Sequence, residues 1–180
     1  EELANHVAWQ MGRPLWKADE TGRLNDWGRM TAEAARQFLA QSNVPQDTNI
    51  RRVIEMQPLG VCLSISAWNF PVAMAASLVV APLLMGNTVI YKHSPQTALI
   101  AGLFAEAAEE ANLPHGVFQA IHMTHRDAEA LIGSGAVDLV QFIGSTQGGQ
   151  AVYDAGRGTF TRFDLELGGK DPAYIREDCP

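Results

Sequence analysis

The chain has 180 residues, with 13 Lys plus Arg against 20 Asp plus Glu and a formal net charge of −7. A chain of that size buries about 70% of its unfolded surface, enough for one real core, and 47% hydrophobic with 18% charged residues argues against disorder. Its acidic balance argues against nucleic acid or an anionic membrane as partner. The two cysteines, Cys62 and Cys179, form neither a disulfide framework nor a zinc set, which fits a reducing, cytoplasmic setting.

Taken in chain order, no charged-then-apolar leader stands at Glu1-Glu2-Leu3, and the chain opens without a methionine, as if in mid-helix. Residues 2–10 read as a helix that Gly12-Arg13-Pro14 ends. A longer helix is expected over residues 18–41, with Leu24, Trp27, Met30, Ala34, Ala35 and Phe38 forming one packing stripe. Residues 42–49 read as a polar loop. Residues 51–56 read as a strand outside the central sheet, either an ordinary edge or a segment that pairs with another subunit.

The stretch from Gln57 to Lys92 organises the rest. It reads as strand, sharp turn, helix, strand, and from Leu59 to Tyr91 it holds no Asp, Glu, Lys or Arg, so nearly all of it is expected to be buried. Pro71, Pro82 and Gly86 leave no uninterrupted apolar run of the ~20 residues that a membrane span needs. Asn69 stands just past the first strand's carboxyl end, where open α/β sheets bind ligands. It either ties down its own turn or points a donor into a pocket.

Ser94 or Thr97 can cap a helix over residues 98–111, which stops at Asn112, Pro114 and Gly116. A short strand over residues 117–121 follows. Thr124 and Asp127 resemble a capping box for a helix to about Ile132. The pattern ends with a strand over residues 137–143, a helix opened by Gly144-Ser145-Thr146-Gln147-Gly148-Gly149, and a fifth strand over residues 160–167 broken by Gly168-Gly169-Lys170. Strands and helices alternating at short spacing predict a parallel, doubly covered α/β sheet.

Four features carry chemistry. The glycine loop from Gly144 to Gly149 opens a helix, where a phosphate can approach backbone N–H groups and Ser145 adds a hydroxyl; the other reading is a tight turn. Lys92 ends the second strand, either as a solvated terminus or as a cation reaching a ligand. Glu166 lies in an apolar strand, where a carboxylate is expected to be desolvated and suited to general base work unless Lys170 or a backbone amide pairs with it. Trp68 stacks on a ring or fills the core. His122 and His125 stand three apart in a polar loop without nearby cysteines or an acid cluster, which is no metal pair.

The order of these motifs is more specific than any one of them. Trp68-Asn69-Phe70-Pro71, Gly86-Asn87-Thr88-Val89 with Lys92 and Ser94, Phe142-Ile143-Gly144-Ser145-Thr146 and Leu165-Glu166-Leu167-Gly168-Gly169-Lys170 together resemble the aldehyde dehydrogenase superfamily, and Gly12-Arg13-Pro14-Leu15 resembles a segment of its first helices. The resemblance implies a Rossmann-like fold and an NAD(P)-dependent oxidation of an aldehyde to the carboxylic acid through a cysteine thioester. By motif position Asn69 would donate to the oxyanion and Glu166 would be the general base. Lys92 would bond the adenosine ribose, Gly144 and Ser145 would hold the pyrophosphate with Trp68 nearby, and Ser66, Ser94, Gly116, Gly149 and Leu167 complete the coenzyme set.

The departures from the family pattern carry expectations of their own. The family's cysteine lies farther along than Cys179, so the sequence reads as a fragment without the nucleophile or the catalytic domain. Residues 1–56 read as N-terminal helices and a flanking strand, 57–170 as the coenzyme-binding domain and 171–180 as the start of a further segment. Pro95 replaces a glutamate that repels a 2′-phosphate, so either NAD or NADP fits. Ala67 replaces a proline common before the tryptophan, and residues 72–85 offer no lysine for a proton relay. The expected partners are a small aldehyde and, at full length, other copies of the same chain. A non-catalytic nucleotide-binding or scaffold module of the same fold is the alternative.

Overall fold

The computed structural model describes residues 2–40 and 49–179, with Arg23 described by its backbone alone. Helices α1 (Glu2–Met11), α2 (Leu15–Ala18) and α3 (Thr21–Leu39) come first. The helix expected from residue 18 is divided because the Asp19 carboxylate accepts from both the amide and the hydroxyl of Thr21, which turns the chain between α2 and α3. Only part of the expected stripe packs. Ala35 is buried and Leu24 joins a core cluster, while Met30, Ala34 and Phe38 face solvent. The expected loop over residues 42–49 lies, apart from Asn49, outside the described residues.

The strand expected over residues 51–56 is not formed. Those residues are exposed, with isolated bridge positions at Ile50 and Ile54 only, so within a single chain they join no sheet among the described residues. The sheet proper consists of β1 (Val61–Ile65), β2 (Thr88–Lys92), β3 (Phe118–Ala120), β4 (Leu139–Ile143) and β5 (Arg162–Glu166), all parallel in the order β3-β2-β1-β4-β5. Between them run α4 (Pro71–Leu84), α5 (Leu99–Glu110), α6 (His125–Gly133) and α7 (Thr146–Ala155), with one 3-10 turn at Pro95–Thr97 before α5. The Thr124–Asp127 capping box opens α6 as its spacing predicts.

Period-two alternation along β1 feeds two cores. Cys62 packs with Ala75 and Val79 of α4, Val89 and Tyr91 of β2 and Ala101 of α5, and the Ser64 hydroxyl donates to the Leu78 carbonyl at 2.8 Å. Leu63 and Ile65 face the other way, onto Ala128 and Ile132 of α6 and Val152 of α7. A third cluster, with Ala4, Val7, Val72 and Ile100, ties α1 to α4 and α5. A sheet covered on both faces explains why its central strands carry no charge except Lys92.

The chain runs outward from β1 through β2 to β3, then returns to the other side of β1 for β4 and β5. The order therefore reverses between β1 and β4, and the crevice beyond their carboxyl ends is where such sheets place ligands. At the opposite rim, the Asn87 side chain accepts from the amides of Leu59 at 2.6 Å and Gly60 at 3.0 Å and donates to the Pro82 carbonyl at 3.0 Å. The Asp138 carboxylate accepts from the Val61 amide at 2.8 Å. Gly60 has φ +123°, and a Cβ there would lie 2.2 Å from Asp138 Oδ2, so the position needs glycine for both shape and space.

Candidate functional site

A cavity of about 1120 Å³ opens at the carboxyl ends of β1, β2, β4 and β5. The turn after β1 contributes Ser66, Trp68 and Asn69, β2 contributes Lys92 followed by Ser94, and the β4–α7 junction contributes Gly144 and Ser145. Glu166 and Leu167 close it from the end of β5, and α6 adds His125 and Glu129. Asn69, Glu166 and Ser145, remote in sequence, thus line one cavity.

Residues 68–70 break the burial expected from Leu59 to Tyr91, and Leu59, Leu84 and Gly86 are exposed as well. Trp68 is 45% exposed and stands at the rim, outside the core. The Asn69 side-chain amide makes no hydrogen bond among the described residues, so it does not tie down its own turn. Its backbone carbonyl does so instead by accepting from Arg13 Nη2 at 2.5 Å.

Lys92 is no solvated terminus: it is 2% exposed. In the parallel register it pairs with Ile65, which places it on the α6/α7 face of the sheet. Burial pushes its ammonium pKa down. The Nζ group has one long hydrogen bond, 3.5 Å to the His93 carbonyl. An ammonium with three donors and one weak acceptor suits a ligand rich in hydroxyl or phosphate oxygens.

His93 stands behind it, with Nε2 3.2 Å from the Pro71 carbonyl and Nδ1 2.9 Å from the Thr97 hydroxyl. A carbonyl only accepts, so Nε2 carries the proton and neutral Nδ1 accepts from Thr97. Burial lowers the His93 pKa to about 4. Ser66 is likewise buried, sharing a 2.8 Å hydrogen bond with the Tyr91 hydroxyl, and the burial of Tyr91 raises that phenol's pKa.

The glycine loop has a double purpose that sequence reasoning missed. A Cβ at Gly144 or Gly148 would lie 2.6 or 2.8 Å from the tip of the buried Phe142 ring, and one at Gly149 would lie 2.4 Å from Leu167 Cδ2. These glycines let α7 settle onto the sheet, and Gly149 itself lies outside the cavity lining. Ser145 caps the helix by accepting from the Gly148 amide at 3.0 Å, and its carbonyl accepts from Gly149 at 2.9 Å. The amides of Thr146 and Gln147 have no partner among the described residues, which leaves two donors at the positive end of a ten-residue helix.

Two expectations are corrected by position. Glu166 is exposed and unpaired rather than desolvated, because β5 is an edge strand whose Arg162, Asp164 and Glu166 face outward while Phe163 and Leu165 are half-buried. Gly116 sits in the turn that precedes β3, at the amino end of the sheet and away from the cavity. Neither cysteine lines the cavity. Cys62 is buried on the α4/α5 face, its thiol pushed up to about 11 by desolvation, and Cys179 is exposed. No helix among the described residues is long and apolar enough to cross a membrane.

The likeness to known proteins runs the length of the chain. The model of the aldehyde dehydrogenase family matches residues 1–180. Geranial dehydrogenase of Castellaniella defragrans is 33% identical over 181 residues, covering 99% of this chain and 38% of that protein. A probable NADP-dependent succinate-semialdehyde dehydrogenase of Sinorhizobium fredii is 30% identical over 182 residues, with 99% and 37% covered. Among solved structures, 3,6-anhydro-L-galactose dehydrogenase superposes with a TM-score of 0.88 at 30% identity, over 98% of this chain and 38% of that one. The chain thus spans under two-fifths of the length of these relatives. With a parallel α/β sheet of the same fold and a family match from end to end, the chain belongs to the aldehyde dehydrogenase family.

Proposed function

We propose that the carboxyl-edge cavity binds a nicotinamide dinucleotide, NAD or NADP, and that the protein oxidises an aldehyde to its carboxylic acid. The observation that carries this reading is the buried, under-partnered Lys92 ammonium in one cavity with Asn69, Ser145 and Glu166. The donor set fits the coenzyme: Lys92 and Ser94 toward ribose hydroxyls, Ser145 and the free amides of Thr146 and Gln147 toward the pyrophosphate. When bound, the nicotinamide supplies the hydride acceptor. A 2′-phosphate meets no carboxylate at Pro95, so both coenzymes remain within the proposal.

In this reading the Asn69 amide donates to the oxyanion that forms when a thiolate adds to the aldehyde. One such donor is worth about 3 to 4 kcal/mol. Glu166, exposed at the end of β5, takes a proton from the attacking thiol or from the water that hydrolyses the thioester. No thiol stands in the cavity among the described residues, so the attacking cysteine comes from elsewhere in the protein. The second reading is a module that binds nucleotide without chemistry.

Stopped-flow absorbance on the intact protein separates them. Glu166→Gln is expected to keep a burst of reduced coenzyme while steady-state turnover falls about 100-fold. A steady-state rate equal to wild type removes Glu166 from the mechanism. Coenzyme binding by wild type without any aldehyde-dependent absorbance change establishes the second reading.

A further inference from the structure

The turn that presents Asn69 is held by two residues from the chain's first twenty. The Glu20 side chain is 4% exposed, and its Oε1 accepts from Arg13 Nη1 at 2.7 Å. Its Oε2 accepts from the amides of Val72 at 3.1 Å and Ala73 at 2.8 Å. The second nitrogen of the Arg13 fork donates to the Asn69 carbonyl, and the guanidinium carbon lies 4.6 Å from the centroid of the Phe70 ring.

These contacts complete the first turn of α4. Phe70 stands at the helix cap position without a side chain able to accept, and Pro71 has no N–H. The Met74 amide donates to the Phe70 carbonyl at 2.9 Å, so Val72 and Ala73 carry the amides that remain, and Glu20 takes both. A carboxylate there also complements the positive end of the helix. The cap that Phe70 cannot supply thus comes from more than 50 residues away, and the same carboxylate orients the arginine that grips Asn69.

We infer that Arg13 and Glu20 form a positioning pair that fixes the backbone of Asn69 and so aims its free side-chain amide into the cavity. The inference rests on the proposed role of Asn69, and neither residue lines the cavity. The Asn69 side chain has no anchor of its own, so its direction is set by the turn. With Phe70 and Pro71 pinned to α4 on one side and the carbonyl pinned to Arg13 on the other, the turn has little freedom left.

The test combines amide hydrogen exchange with kinetics on the intact protein for Glu20→Gln, Arg13→Met and Arg13→Lys, each checked for native circular dichroism. Exchange at Val72 and Ala73 is expected to quicken about tenfold in Glu20→Gln. In Arg13→Met, kcat is expected to fall about tenfold to a hundredfold with KM and the NADH dissociation constant within twofold of wild type, and Arg13→Lys to recover part of the loss. Unchanged exchange in both Glu20→Gln and Arg13→Met overturns the pair as the anchor. Faster exchange with unchanged kcat overturns its positioning role. A wild-type protein that neither binds NADH nor turns over aldehyde contradicts the proposed function instead. Exchange at Val72 and Ala73 then decides whether the pair holds the turn.

Discussion

At the amino rim of the sheet, polar side chains serve the backbone: Asn87 bonds three main-chain groups and Asp138 bonds the first amide of β1. At the carboxyl rim the same residue types are left open. The amides of Asn69 and α7, the carboxylate of Glu166 and most of the Lys92 ammonium have no strong partner among the described residues. Two asparagines at comparable turns, Asn69 and Asn87, therefore do opposite things. A polar group whose bonds close within the fold is structure, and one whose surroundings are ordered by other residues while its own donors stay free is a candidate for chemistry.

This contrast can be broken by exchanging stability for function at each rim. Asn87→Ala removes three hydrogen bonds at a buried site and is expected to cost about 3 kcal/mol in urea unfolding, with coenzyme affinity unchanged where the protein remains folded. A cost under about 1 kcal/mol would mean that the amino rim is held by something else.

His93 tests a closed network at the carboxyl rim. Its folded pKa of about 4 lies below the ordinary 6.5, so the unfolded chain takes up a proton that the folded one refuses. Its contribution is present above pH 6.5 and is lost as pH falls from there through about 4. Stability measured across that window is expected to decline in wild type and to decline less in His93→Gln. Equal slopes in the two proteins would show that His93 titrates freely.

The smallest effect on stability belongs to Asn69. Asn69→Ala is expected to change unfolding free energy by less than about 0.5 kcal/mol, while aldehyde turnover falls about 100-fold. A loss of stability comparable to that of Asn87→Ala would place Asn69 with the structural asparagine and erase the distinction between the rims.

Much of the fold is legible because it follows from short-range pattern. The uncharged run through β1, α4 and β2 signals burial on both faces, and Thr124 with Asp127 signals the start of α6. Residues 51–56 show that alternation marks where a strand could form, while no edge of this chain's own five-stranded sheet receives it. Glu166 misleads for a related reason: its apolar neighbours Phe163 and Leu165 lie on the other face, and only the sheet order shows that β5 is an edge.

The site divides in the same way. Asn69, Lys92, Ser145 and Glu166 are marked by their places at or just past strand ends, whereas the fit of Gly144 and Gly148 around Phe142 depends on where a ring turns. Arg13 and Glu20 act across more than 50 residues, and no local spacing announces such a contact.

Titration of NADH and NADPH fluorescence against wild type and Lys92→Met asks whether the open rim is a coenzyme site held by Lys92. Wild type is expected to bind at least one coenzyme saturably, with affinity about tenfold or more weaker in Lys92→Met. The variant is expected to gain about 1 kcal/mol of stability, because a buried charge with one weak partner has been removed. Equal affinity in the two proteins, or no binding of either coenzyme by wild type, would contradict a coenzyme site held by Lys92.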